Sequence, residues 1–100
     1  MSYRKGRRLE YAVRDIFRSH GWFVMRGAGS KPIDLVCMKD GRTVLVECKY
    51  NTRPTSFERE ELRGIARITG ARVLIAQKAR GQRGLRLVDA VTGEEFVPWI

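Results

Sequence analysis

The chain has 100 residues, 43% of them hydrophobic, enough for a single domain over residues 1–100 with a modest core. Twenty Lys and Arg against eleven Asp and Glu leave a formal charge of +9, which on so small a body favours a polyanionic partner, nucleic acid first. No stretch approaches the roughly 20 apolar residues of a membrane span, the basic N-terminus lacks the apolar segment of a signal peptide, and two Cys with one His do not make a zinc site, so the expected compartment is the cytosol.

From Gly6 to His20 the apolar residues Leu9, Ala12, Val13, Ile16 and Phe17 recur at helical spacing, predicting an amphipathic helix stopped by Gly21 in the left-handed conformation. His20 then lies near the negative end of the helix dipole, a structural place for the one histidine. Glu10 sits at the edge of the buried stripe and has Arg14 as an i+4 partner. Trp22, Phe23 and Val24 begin a first strand. Arg26 to Lys31 read as a loop whose two glycines, Gly27 and Gly29, allow close approach of a nucleic-acid strand.

Two apolar runs follow, joined by Asp40 and Gly41, the pair that a two-residue hairpin turn needs because both positions require positive φ. With those two residues in the loop, Lys39 faces Arg42, Val36 faces Leu45 and Asp34 faces Glu47, and directly paired residues share a face of the sheet. Two carboxylates thus stand side by side, with Lys49 on the same face two residues on. Such a pair is repulsive unless a cation or a proton lies between its members. Hard oxygen ligands beside an ammonium suit Mg²⁺ or Mn²⁺ and the hydrolysis of a phosphodiester. Cys37 and Cys48 point to the opposite face, about 13 Å apart at strand rise, too far to form a disulfide.

After a polar connector, Thr55 and Glu58 form a capping box for a second helix with Leu62, Ile65, Ala66 and Thr69 inward and Gly70 as its stop. Val73 to Ala76 is an apolar strand, Lys78 to Gly84 a basic, glycine-rich loop carrying Lys78, Arg80 and Arg83, and Leu85 to Val88 a further strand. The chain ends on Phe96, Val97, Trp99 and Ile100, an apolar cluster that either closes the core or meets another subunit.

The spacing Pro32-x-Asp34, twelve intervening residues, Glu47-x-Lys49 resembles the PD-(D/E)xK nuclease motif. Tyr3 to Gly6, Glu10 and the Arg26 to Lys31 segment narrow the likeness to the archaeal-type Holliday junction resolvases, a family also present in viruses. The resemblance implies an α/β fold of restriction-endonuclease type, a mixed β-sheet flanked by helices in the order α-β-β-β-α-β-β. It implies a metal-dependent endonuclease that resolves four-way DNA junctions in prokaryotic or virus-infected cytosol. Asp34 and Glu47 would bind Mg²⁺ (Mn²⁺ substituting), with Glu10 and the backbone carbonyl of Cys48; Lys49 and Ser30 would complete the catalytic set. Arg4, Lys5, Arg7, Arg8, Arg26, Lys31, Lys78, Arg80 and Arg83 would contact DNA, and a homodimer through the C-terminal apolar segment would pair the two cuts. The chain departs from the family pattern at Tyr11, where an arginine commonly follows the helix glutamate; the basic residue that the family places in the strand after the second helix either corresponds to Lys78 or is replaced by Gln77. A nuclease of the same superfamily acting on flaps, nicks or foreign DNA, and a non-catalytic DNA-binding module, are the alternatives. The acidic cluster speaks against the module, since carboxylates repel a phosphate unless a cation intervenes.

Overall fold

The computed structural model describes residues 2–27 and 32–98, with side chains from Gly6 onward. Helix α1 (Ser2–Ser19) begins before the expected Gly6, because Arg and Lys are good helix formers and one glycine costs only about 1 kcal/mol. It ends as the sequence predicts. Gly21 has φ +88°, the Gly21 amide donates to Arg18 O and the Trp22 amide to Phe17 O, the paired bonds of a Schellman motif. Leu9, Val13 and Phe17 are buried, whereas Ala12, expected in the stripe, is exposed.

Strand β1 (Phe23–Arg26) runs antiparallel to β2 (Leu35–Lys39), which turns through Asp40 and Gly41 into β3 (Arg42–Tyr50). Both turn residues have positive φ, +50° and +76°. The register is the expected one, with Val36 opposite Leu45 and Lys39 opposite Arg42. Arg26, placed in the loop by the sequence reading, is the last residue of β1, paired with Leu35.

Helix α2 (Ser56–Thr69) carries the complete Thr55–Glu58 capping box and stops at Gly70, φ +70°. It returns the chain so that β4 (Arg72–Lys78) lies parallel to β3, and β5 (Arg86–Asp89) pairs antiparallel with β4. The sheet order is β1-β2-β3-β4-β5, the α-β-β-β-α-β-β mixed architecture expected. Among the described residues no helix is long and apolar enough to cross a membrane.

The sheet separates two apolar layers. Leu9, Val13 and Phe17 of α1 pack with Val24, Leu35, Cys37, Val44, Val46 and Leu74 on one face; Leu62 of α2 packs with Leu45, Val73 and Ile75 on the other. Period-2 alternation along β3 therefore sends Cys48 toward α1 and Glu47 and Lys49 toward α2. Thr69, expected on the inner stripe of α2, is exposed and spends its hydroxyl on Ile65 O and the Ala71 amide.

The C-terminal segment bears on the core. Phe96 stacks on Phe17, ring centroids 6.0 Å apart, and meets Trp22 edge-on at 6.4 Å. The Trp22 indole N–H donates to Pro98 O at 2.9 Å. Of the two roles open to this segment, Phe96 takes the core-closing one, and the dimer surface expected there loses its first aromatic. Trp99 and Ile100 lie outside the described residues.

Candidate active site

At the C-terminal end of β3 the hairpin register sets Asp34 beside Glu47. The β2–β3 ladder ends at Leu35 opposite Val46, and the Asp34 amide donates to the same Val46 O at 2.8 Å, one residue off that register. Asp34 Oδ2 accepts the Cys48 amide at 2.7 Å, so its carboxyl is fixed from the backbone side. Glu47 is buried with the Asp34 carboxyl as its neighbour. Burial first, and then that neighbouring carboxyl, push the Glu47 carboxyl up to about 9, against the opposing pull of Lys49. Its ordinary range lies near 4.5, so burial beside a second carboxylate favours the protonated form of Glu47. The donor set is what fits the pair to a cation: two hard carboxylate groups stand together, Glu47 buried and Asp34 fixed by the Cys48 amide.

Among the ion pairs of the described residues, Lys49 is the cation joined to this pair, its Nζ 3.8 Å from Glu47 Oε2 and 2.9 Å from Glu58 Oε2. Glu58 was legible in the sequence as a cap and not as a site residue. The signal lay in its place at the N-terminus of α2, beside the end of the strand that carries Lys49.

The expected convergence of three carboxylates does not occur. Glu10 hangs from α1, on the Cys48 side of the sheet, and accepts from Arg26 Nε and Nη2 at 3.3 and 3.1 Å. Its helical neighbour Arg14 pairs instead with Asp15. Glu10 still reaches the centre electrostatically: burial foremost, then the charges of Asp34, Glu10 and Glu47, push the Cys48 thiol up. Among the described residues no group of three or more His, Cys, Asp or Glu is gathered for a metal ion. Cys37 and Cys48 are both free thiols, as the register requires.

The Arg26 guanidinium also lies 5.0 Å over the Tyr11 ring, and that of Arg14 lies 4.6 Å over it. Tyr11, the departure from the family pattern, thus holds the arginine that pairs with Glu10. Lys78 closes the base of the basic loop by donating to Gln82 O. The Asn51 amide donates to Lys78 O, and Asn51 Oδ1 accepts the Arg80 amide at 3.2 Å, so loop and β3 end are tied together around a groove of about 300 Å³ that includes Arg53, Lys78 and Arg86. Arg7, Arg8, Arg80 and Arg83 are exposed. Ser30 and Lys31 lie outside the described residues, as do the side chains of Arg4 and Lys5. A cavity of about 900 Å³ between Trp22, Arg42, Arg72 and Phe96 lies at the opposite end of β3 from the carboxylates.

Three comparisons bear on this centre. The family model described as archaeal Holliday junction resolvase (Hjc) matches residues 1–95. The crossover junction endodeoxyribonuclease Hjc of Methanocaldococcus jannaschii is 30% identical over 84 residues, 80% of this chain and 63% of that protein; the chain therefore spans less than two thirds of that relative. The structure of Archaeoglobus fulgidus Hjc, a Holliday junction resolvase, superposes with a TM-score of 0.70 at 26% identity, covering 86% of this chain and 73% of that one.

Proposed function

The chain belongs to the archaeal Holliday junction resolvase family, and on that premise we propose that it is a DNA endonuclease that resolves four-way junctions by paired phosphodiester hydrolysis in the cytosol. The observation that carries the reading is the Asp34–Glu47 pair itself, Glu47 buried and Asp34 held by the Cys48 amide at 2.7 Å, with Lys49 3.8 Å from Glu47. Asp34 and Glu47 are the residues that would hold Mg²⁺ or Mn²⁺, with the Cys48 carbonyl beside them. Glu10 is a third candidate ligand, and Arg26 is its competitor. When bound, a divalent ion supplies Lewis-acid polarisation of the phosphate and an acidified water.

The remaining steps belong to side chains. Lys49 presents its ammonium on the face where the scissile phosphate enters and stabilises the charge that develops on its oxygens. Asp34, held by the Cys48 amide, keeps one oxygen directed at Glu47 without a rotamer search. Arg26 exchanges the Glu10 carboxylate for a DNA phosphate, a trade between two anions at one guanidinium. Ser30 and Lys31 lead into Asp34 along the strand path, while Arg4, Lys5, Arg7 and Arg8 on α1 and Lys78, Arg80 and Arg83 on the loop engage the arms through backbone phosphates. Because a four-way junction needs two symmetric cuts and each chain carries one such centre, the active form is a C₂ homodimer.

Labelled four-way junction, flap and linear duplex, each incubated with Mg²⁺ and with EDTA, test the reading. Symmetric nicking of the junction in Mg²⁺ alone is expected. Preferential cutting of flaps would transfer the chain to another nuclease activity, and binding without cutting in any metal would leave a DNA-binding module.

A further inference from the structure

Glu58 performs two tasks with two oxygens. Oε1 accepts the Thr55 amide at 2.9 Å while Thr55 Oγ1 accepts the Glu58 amide at 3.1 Å, the reciprocal bonds of the capping box. Oε2 accepts from Lys49 Nζ at 2.9 Å. The Thr55 amide foremost, then Lys49, hold the Glu58 carboxyl below its ordinary range, so it is a carboxylate at neutral pH. A helix cap needs only the first task. The second fixes an otherwise flexible ammonium against a rigid helix end, 2.9 Å from Glu58 Oε2 and 3.8 Å from Glu47 Oε2.

Without Glu58, Lys49 has one anionic neighbour left among its ion pairs, Glu47 at 3.8 Å. Closing that gap would give the carboxyl pair an internal counter-ion and satisfy the demand that a divalent ion would otherwise meet. We propose that Glu58 is a positioning residue for Lys49: it holds the ammonium at the rim of the Asp34–Glu47 pair, near enough to meet a phosphate and too far to neutralise the pair, and so keeps the pair open to a divalent cation. The inference rests on the nuclease reading of that pair and adds to it a residue from α2.

The substitution Glu58→Gln separates the tasks. Gln serves as the third member of a capping box, so Oε1 can still accept from Thr55, but its amide nitrogen cannot accept from Lys49. Calorimetric titration of the free protein with Mg²⁺ should show affinity about tenfold lower in E58Q, the scale of one unit in a carboxylate's preference for its charged form. The melting temperature should be nearly unchanged and single-turnover junction cleavage slower. In a Lys49→Met background E58Q should leave Mg²⁺ affinity where K49M alone puts it, since the interaction removed is between the two side chains. Thr55→Ala, which breaks the cap and keeps the carboxylate, should lower the melting temperature without that loss of affinity.

Equal Mg²⁺ affinity in E58Q and wild type overturns the proposal, and so does a loss that persists undiminished in K49M or that T55A reproduces. If E58Q does not fold, the comparison of T55A with K49M decides alone: K49M must then bind Mg²⁺ at least as tightly as wild type with T55A unchanged, and any other result overturns the proposal. Wild-type protein that neither binds Mg²⁺ nor cuts DNA removes the nuclease reading itself, a failure distinguishable from a cutting enzyme indifferent to Glu58.

Discussion

Glu47 couples the chemistry of the site to the stability of the fold. Its carboxyl is raised to about 9 from an ordinary 4.5, so the folded state favours the protonated form. The contribution is fully present below about pH 4.5 and declines as pH rises through about 9, because the unfolded chain releases that proton first. In EDTA the melting temperature should therefore fall between pH 5 and pH 9, and millimolar Mg²⁺ should reduce the fall by supplying the missing positive charge. Glu47→Gln, neutral at every pH, should flatten the profile and stabilise the protein by about 1–3 kcal/mol at pH 8, while abolishing cleavage and leaving junction binding in EDTA intact or stronger. Thermal melts across pH with and without Mg²⁺ check the stability claims, and a nicking assay checks the loss of activity. A flat wild-type profile would refute the raised Glu47 carboxyl.

At the scale of elements, the site depends on pieces that share no sequence neighbourhood. The β2–β3 turn sets Asp34 beside Glu47, α2 brings Glu58 to Lys49, and β1 brings Arg26 to Glu10. The C-terminal segment stabilises the layer on which α1 rests. Phe96 is half-buried against Phe17 and Trp22, so Phe96→Ala should cost about 2–3 kcal/mol, less than full truncation of a buried aromatic, as read from urea unfolding. A variant that keeps wild-type stability but loses dimer mass in light scattering would return Phe96 to the interface. A second test lies in the hairpin: at Gly41, φ +76°, a Cβ would meet no atom within 4 Å, so Gly41→Ala should cost about 1 kcal/mol through backbone strain alone.

For the molecule as a whole, +9 on 100 residues dominates how it meets DNA. Junction affinity should fall linearly in log salt, with a slope of about −0.9 for each phosphate neutralised. Arg4→Ala or Lys5→Ala should each flatten that slope by about one unit and leave the single-turnover rate on bound junction unchanged. Fluorescence anisotropy across roughly 50 to 200 mM salt, the range over which such contacts weaken most visibly, measures the slope. No change in either variant would take the N-terminal turn of α1 out of the interface.

Whatever depends on near neighbours was legible in the order of residues alone. Asp40 and Gly41 set a hairpin register to the residue, because positive φ at two adjacent positions admits few turns, and the register in turn placed Asp34, Glu47 and Lys49 on one face and both cysteines on the other. The Thr55–Glu58 box and the Gly21 and Gly70 stops marked helix ends for the same local reason. The third dimension decided the pairings between separate elements. Arg14 stood one turn from Glu10 and was its expected partner, yet Arg26 took the place when β1 packed beside α1; Phe96 left the expected interface for the Phe17–Trp22 cluster; Glu58, a cap by sequence, reached Lys49. Helical and strand periodicity specify which face a side chain occupies, but the side chain it meets depends on how the layers stack, and that is fixed only when the whole core closes.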